Sequence, residues 1–160
     1  MTTRRGFTLV EMLVVIAIIA ILAMVALPNT QDRVIRQQIA EALPLADIAK
    51  APIADAWKAA QPFPAANADA GLPVPEKIVN NYVSSLTVDH GAIHIKFGNR
   101  SNALLNGKVL SLRPAVVEGE PVVPVTWECG YAAAPGGMVV KGENKTDIPA
   151  NYLPLICRAQ

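Results

Sequence analysis

Few residues of this sequence have the types and spacing that catalysis or metal binding requires. The two histidines, His90 and His94, stand four positions apart in a stretch that reads as a turn and a strand, and no HExxH arrangement surrounds them. The sequence contains no GxSxG, P-loop or CxxC motif. We therefore expect exposed hairpin histidines, no metal site, no cofactor and no enzymatic activity.

One acidic residue stands where a charge is costly. The segment from Phe7 to Leu27 is almost wholly apolar except for Glu11, and as a helix it would span about 31 Å, close to the thickness of a bilayer core. A carboxylate at the centre of such a helix costs about 2.5–3.5 kcal/mol, and less near an end. Glu11 is therefore expected to have a partner; the alternative is that it only reaches the headgroup region.

Two ordinary explanations of the apolar segment are incomplete. A secretory signal peptide has an apolar core of about 7–15 residues, so this segment is too long and Glu11 is out of place. A plain membrane anchor fits the length, and Arg4 and Arg5 before it would keep the N-terminus in the cytoplasm. An anchor alone, however, gives Glu11 no role.

Residues 28–60 are predicted to form an amphipathic helical half that buries one face against a sheet. Pro28 lacks a backbone donor and should kink the helix after the apolar segment. Pro44 and Pro52 interrupt the pattern and leave the straightness of this half open. The apolar positions recur at steps of three and four: Ile35, Ile39, Ala42, Ala46, Ala49, Ile53 and Trp57.

The rest of the chain reads as a loop followed by strands. Residues 61–80 are rich in proline, alanine and glycine, as surface loops are. Residues 81–128 contain four strand signals, "NYVSSLTV", "GAIHIKFG", "KVLSLRP" and "PVVPVTWECG", with a tight turn at 89–91 between the first two. Pro124 inside the last signal predicts an edge or a bulge. The expected fold is α+β: a long N-terminal helix packed on an antiparallel four-stranded sheet.

The charge balance gives little support for nucleic-acid binding. The formal net charge is +1, and loss of Arg4 and Arg5 with a leader would reduce 14 basic residues to 12 against 13 acidic ones. Lys141, Lys145 and Arg158 could form a small basic patch, but acidic residues interleave with them. This pattern is more typical of a solvated mixed face than of a DNA site.

The two cysteines, Cys129 and Cys157, suit a single disulfide in an oxidising compartment. It would enclose residues 129–157 and stabilise the fold by roughly 3.5 kcal/mol on the chain-entropy model. Asn144 begins an N-K-T triplet that matches a glycosylation acceptor, but such triplets also arise by chance.

The stretch "RRGFTLVEMLVVIAIIAILAMVALP" resembles the leader and first half-helix of a type IV prepilin. The family pattern is a short basic leader ending in Gly, then Phe, then Thr-Leu-x-Glu and an unbroken apolar segment. The stretch "FGNRSNALLNGKVLSLRPAV…TWECG" also resembles the C-terminal domain of the short-leader pilins. The resemblance implies that a prepilin peptidase cuts the bond between Gly6 and Phe7 and so removes residues 1–6. It also implies that the peptidase methylates the new amine of Phe7.

The resemblance also implies how the parts work. Residues 7–27 would hold the chain in the inner membrane, N-terminus cytoplasmic, and later pack in the core of an extracellular filament. There the Phe7 amine of one subunit would pair with Glu11 of a neighbour and set the axial register. The 129–157 loop would be exposed, followed by a tail at 158–160. The implied partners are other copies of the chain, the peptidase, the assembly platform and minor pilins, and the outputs are adhesion, aggregation and twitching motility.

Other functions remain open. A type II secretion pseudopilin or a minor pilin would share the leader chemistry, although the cysteine-bounded loop and the absence of acidic clusters after Gly130 favour a pilin. Retention of Glu11 favours a subunit of the filament shaft. A membrane-anchored enzyme would need a catalytic constellation that the sequence lacks, and it would leave Glu11 unexplained.

Overall fold

The computed structural model describes residues 6–26 and 28–159, which divide into two units at the junction between Val34 and Ile35. Most of the predicted leader, Leu27 and the last residue of the tail therefore lie outside the described residues. The helices are α1 (Leu9–Ala26), α2 (Pro28–Ala42) and α3 (Asp47–Lys58). Within the described ranges, no helix combines the length and hydropathy that a membrane crossing requires.

The amphipathic half is not one helix, because its two internal prolines, Pro44 and Pro52, act differently. Pro44 lies in a 3₁₀ turn, Leu43–Ala46, between α2 and α3, as expected where a proline removes a helical hydrogen bond and disfavours α geometry in the residue before it. Pro52 is accommodated inside α3. The predicted stripe nevertheless faces the core across both helices. Six of its members are fully buried: Ile35, Ile39, Ala42, Ala46, Ala49 and Ile53.

The sheet is antiparallel and has five strands, one more than predicted. They are β1 (Val83–Asp89), β2 (Ala92–Phe97), β3 (Val109–Val116), β4 (Thr126–Cys129) and β5 (Val139–Val140). The order is β1-β2-β3-β4, and the short β5 pairs with the end of β3. Pro124 precedes β4 instead of lying in it, so the last predicted strand is shorter than its sequence signal.

The turn between β1 and β2 forms where the sequence predicts it. His90 and Gly91 have φ angles of 48° and 85°, and two successive positive φ values are typical of a two-residue hairpin turn whose twist matches that of the strands. Because side chains alternate along β2, Ile93, Ile95 and Phe97 enter the core that the helices cover. His94 and Lys96 lie on the opposite face of the sheet.

That opposite face is partly covered by residues 141–147, which we call the cover segment. The Lys141 amide donates to the Pro114 carbonyl at 2.8 Å, and the Asp147 amide donates to the Val109 carbonyl at 3.2 Å. The segment thus follows β3 back from its end to its start. At Gly142 it lies so close to Ala92 that a Cβ at residue 142 would stand 2.7 Å from the alanine methyl.

Candidate assembly and surface sites

The helix α1 begins with a reciprocal cap between Thr8 and Glu11. The Thr8 amide and hydroxyl both donate to Glu11 Oε2 at 2.8 Å, and the Glu11 amide donates to Thr8 Oγ1 at 3.3 Å. This is the arrangement that the pattern Thr-x-x-Glu forms at a helix N-terminus. A carboxylate there also interacts favourably with the positive end of the helix dipole. Sequence reasoning gave Glu11 only an intermolecular partner and missed this local one, although the Thr-x-x-Glu spacing is a readable signal.

Helix α1 is apolar on all its sides. Every side chain from Leu9 to Met24 is exposed in the single chain, with Leu9 79% and Ile16 62% accessible. A helix of this kind is stable only where something apolar surrounds it, either lipid or other protein. The kink predicted at Pro28 remains a prediction, because α2 begins at Pro28 and the preceding Leu27 lies outside the described residues.

A disulfide joins Cys129, the last residue of β4, to Cys157 in a short 3₁₀ turn near the C-terminus. Both cysteines are buried, Cys157 completely. The Tyr131 amide donates to the Cys157 carbonyl at 2.9 Å, and the Gly130 amide donates to the Ser111 carbonyl at 2.8 Å. The base of the 129–157 loop is therefore fixed to the sheet by hydrogen bonds as well as by the covalent bond.

The 129–157 loop divides into an anchored part and a projecting part. The cover segment is anchored by its side chains as well as its amides: the Asn144 side chain donates to the Gly130 carbonyl, and the Thr146 and Asp147 side chains accept from amides of β3. By contrast, residues 135–138 form an exposed turn closed by one hydrogen bond, from the Met138 amide to the Pro135 carbonyl at 3.1 Å. Leu155 and Ile156 project beside the disulfide with accessibilities of 76% and 68%.

The histidines occupy different environments, so the expectation that both are exposed is wrong for His94. The His90 side chain is 77% accessible, whereas that of His94 is only 7% accessible under the cover segment. His94 Nδ1 lies 2.9 Å from Ser111 Oγ. Burial, and next the Lys145 ammonium, lower the pKa of His94. Among residues 6–26 and 28–159, no three histidine, cysteine or acidic side chains cluster as metal ligands would.

Asp89 connects the hairpin turn to the cover segment. Its Oδ2 lies 2.6 Å from Lys145 Nζ, and its Oδ1 lies 2.6 Å from His90 Nδ1. These two hydrogen bonds, that of Lys145 first, lower the pKa of Asp89 to about 2. The same carboxylate raises the pKa of Lys145.

The predicted basic patch is largely neutralised. Lys141 pairs with Glu118, Lys145 pairs with Asp89, and the Arg158 guanidinium donates to backbone carbonyls of its own segment. These contacts agree with a solvated mixed face and add no support for DNA binding. The Asn144 side chain donates to the Gly130 carbonyl at 2.8 Å, so the candidate glycosylation nitrogen is engaged in holding the loop.

Asn67 is a structural residue that sequence reasoning missed. It lies in the 61–80 loop but is 5% accessible, and its side chain bonds to the outer edge of β1, the first strand of the sheet. Its Nδ2 donates to the Leu86 carbonyl at 2.9 Å and to the Pro73 carbonyl at 3.0 Å, while its Oδ1 accepts from the Val88 amide at 2.6 Å. A single side chain thus satisfies backbone groups that would otherwise offer an open sheet edge.

These features define a class of chain: an α+β unit closed by a disulfide loop, preceded by a capped helix that requires an apolar environment. Two family descriptions match successive parts of the chain. The Pilin family, a bacterial filament family, matches residues 36–158, and the prokaryotic N-terminal methylation motif matches residues 1–27.

Individual relatives extend over nearly the whole chain. A type IV major pilin protein PilE1 of Neisseria gonorrhoeae is 34% identical over 98% of this chain and 88% of its own length. A fimbrial protein of Neisseria meningitidis serogroup B is 33% identical over 98% of this chain and 95% of its own. The fimbrial protein EcpC of Eikenella corrodens is 35% identical over 97% of this chain and 91% of its own length.

The chain belongs to the type IV pilin family. It is therefore a structural protein, a subunit of a type IV pilus made from a membrane-anchored precursor, and the pseudopilin alternative is not favoured.

Proposed function

We propose that this chain is the shaft subunit of its pilus, stored in the inner membrane by residues 7–27 and polymerised after removal of residues 1–6. The observation that carries the proposal is the apolar surface of α1. Because apolar side chains surround the helix, lipid can cover it before assembly and the same helices of other copies can cover it afterwards. One segment would then serve as both anchor and polymerisation surface.

The cap at Glu11 supports a second step. Cleavage between Gly6 and Phe7 would create a cationic amine one residue before Thr8, and methylation would keep its charge. In a bundle of apolar helices an unpaired amine or carboxylate is costly, so the amine of one subunit would pair with Glu11 of a neighbour. Both Thr8 donors end on Oε2, so we infer that Oε1 accepts the incoming amine while the cap persists.

The charge and the cap can be separated by substitution. Glu11→Gln keeps an oxygen that can accept from the Thr8 amide but removes the negative charge. Thr8→Ala removes the hydroxyl of the cap but keeps the charge. We expect Glu11→Gln to be processed normally and to be lost from filaments, whereas Thr8→Ala still enters them. Glu76→Gln, an exposed acid outside α1, is the control for loss of a carboxylate.

The first measurement is the intact mass and N-terminal sequence of protein sheared from cells. An abundant filament species that starts at methylated Phe7, and is two hydrogens lighter than its reduced form, is expected. Processed chain found only in membranes would point to a minor pilin. A chain that keeps Met1, or that is cut near Leu27, would refute the processing scheme. Filament entry of Glu11→Gln at the wild-type level would refute the charge pairing alone.

We further propose that the filament supports adhesion, aggregation and twitching motility. The projecting part of the 129–157 loop supports this, because Leu155 and Ile156 offer exposed apolar contacts beside a covalently fixed base. Cells expressing filaments with Leu155→Ser and Ile156→Ser should pilate normally but aggregate less. Unchanged aggregation would assign these residues no surface role.

A further inference from the structure

The buried histidine on the outer face of the sheet is linked to the cover segment through one serine. Ser111 is fully buried, and its Oγ accepts the Lys145 amide at 2.9 Å while it also lies 2.9 Å from His94 Nδ1. Since the Lys145 amide can only donate, the simplest complete arrangement has the Ser111 hydroxyl donating to an unprotonated Nδ1. Neutral His94 therefore completes a chain of hydrogen bonds that ends on the cover segment.

The other ring nitrogen faces a carboxylate without bonding to it. His94 Nε2 lies 4.0 Å from Asp89 Oδ2 and, among the described residues, has no hydrogen-bond partner. The same Oδ2 is held by Lys145 Nζ at 2.6 Å. Asp89 therefore already has a cationic partner, which limits how far it can turn to a second one.

We propose that His94 is an acid-responsive latch, whose protonation releases the cover segment from the sheet while the Cys129–Cys157 disulfide keeps it tethered. Protonation puts a hydrogen on Nδ1, so Ser111 Oγ must accept from both His94 and the Lys145 amide. The buried hydroxyl proton then loses its acceptor, at a cost typical of an unsatisfied buried group. Opening the segment restores water to all three groups.

The charges around His94 act in both directions. Lys145 on the cover segment repels a charged ring, while Asp89 on β1 and Glu143 on the cover segment attract it. Burial outweighs the attraction, since the pKa of His94 is lowered from its ordinary value of 6.5. A histidine whose pKa is lower when the segment is closed takes up its proton on opening. Closure is therefore most stable above pH 6.5 and weakens as the pH falls below it.

Two features separate this latch from general acid unfolding. Asp89 titrates near a pKa of about 2, far below the window in which His94 acts. Strand β2 lies between β1 and β3 and pairs with both, so its amides have no reason to respond in that window. Only the cover segment should open. The population of its open state should rise by up to about tenfold for each pH unit below 6.5.

The test is hydrogen–deuterium exchange of the full chain in detergent micelles between pH 7.5 and 5.0, corrected for intrinsic exchange rates. Protection of the Lys141, Lys145 and Asp147 amides should fall with pH, and so should that of the Val109 and Ser111 amides, which donate to the cover segment. Protection of the β2 amides should not change. In His94→Asn, whose side-chain oxygen can replace Nδ1 as acceptor, protection should be independent of pH. His90→Asn, a change at the exposed histidine, should behave as wild type.

A second readout needs no substitution and is independent of the filament proposal. The His94 ring is titrated by NMR in the wild-type chain. Its midpoint should lie below 6.5, and the loss of protection in the cover segment should begin above that midpoint. Protection that stays constant to pH 5.0, or a loss that persists in His94→Asn, overturns the latch. So does an opening that follows the titration of His90 instead.

Discussion

The side chain of Asn67 should stabilise the globular unit by more than any other polar residue of the 61–80 loop. Asn67→Ala removes three hydrogen bonds and leaves the Leu86 carbonyl and the Val88 amide of β1 without partners. Each buried group left unpaired costs about 1–3 kcal/mol. For these two groups together we therefore expect the free energy of unfolding to fall by about 2–6 kcal/mol.

The aspartate variant gives a sharper test of the same geometry. In Asn67→Asp one carboxylate oxygen still accepts from the Val88 amide. The other oxygen takes the place of the asparagine NH₂ group, which donated to the Pro73 and Leu86 carbonyls. Three acceptors then meet without a proton, so the variant should be less stable than Asn67→Ala at pH 7. Its carboxyl pKa should be raised by this contact. Stability should therefore recover as the pH falls toward 4, because the protonated acid can donate.

The assay is equilibrium urea unfolding of the full chain in detergent micelles, followed by tryptophan fluorescence. Trp57 of α3 is a suitable reporter because its ring stacks on that of Phe63, which lies in the 61–80 loop with Asn67; the ring centroids are 5.7 Å apart. Asn81→Ala, an exposed asparagine near the start of β1, is the control and should change stability by less than about 0.5 kcal/mol. A loss below about 1 kcal/mol in Asn67→Ala, or equal stability of the aspartate and alanine variants at pH 7, would refute the reasoning.

Two further pairs of variants test packing by the same unfolding assay. Gly107→Ala places a side chain in open space at a φ of +79° and should lower the free energy of unfolding by about 1 kcal/mol. Gly91→Ala, at a φ of +85°, also brings a Cβ to 2.8 Å from Phe63 Cγ, so its loss should be about 1–3 kcal/mol larger. Equal losses would mean that Phe63 moves aside without cost. Ile53→Ala in the fully buried stripe should cost about 2–5 kcal/mol, and Ile48→Ala, 45% accessible on the same helix, less than about 1 kcal/mol. Similar losses at both positions would contradict the assignment of the buried face.

The sequence predicts the parts of the fold that depend on periodic patterns. The apolar spacing from Ile35 to Ile53 survives a change from α to 3₁₀ geometry at Pro44 because a turn of either helix keeps residues three or four apart on one side. The hairpin is predictable because a two-residue turn with glycine separates two alternating segments. Glu11 stands out because an acid in an apolar helix demands a partner, and the N-terminal methylation motif matches the segment that contains it.

What the sequence does not reveal depends on contacts between distant segments. Asn67 looks like an ordinary loop residue, because its side-chain amide bonds to groups of β1 that are distant in the sequence. His94 alternates out of the core, yet it is buried because a segment some 50 residues later covers it. The strand β5 has two residues, too few for any periodic signal. The pairing of Asp89 with Lys145 likewise has no local signature.

The turn at 135–138 has a practical consequence. Its two glycines have open space around them, so that a Cβ at either Gly136 or Gly137 would meet no atom within 4 Å. The segment before it contributes no strand, and the hydrogen bonds that fix the cover segment begin only after it. Foreign peptides inserted between these glycines should therefore leave the scaffold intact. If the subunit forms the shaft, each insertion would be displayed in a regular array at every repeat of the polymer.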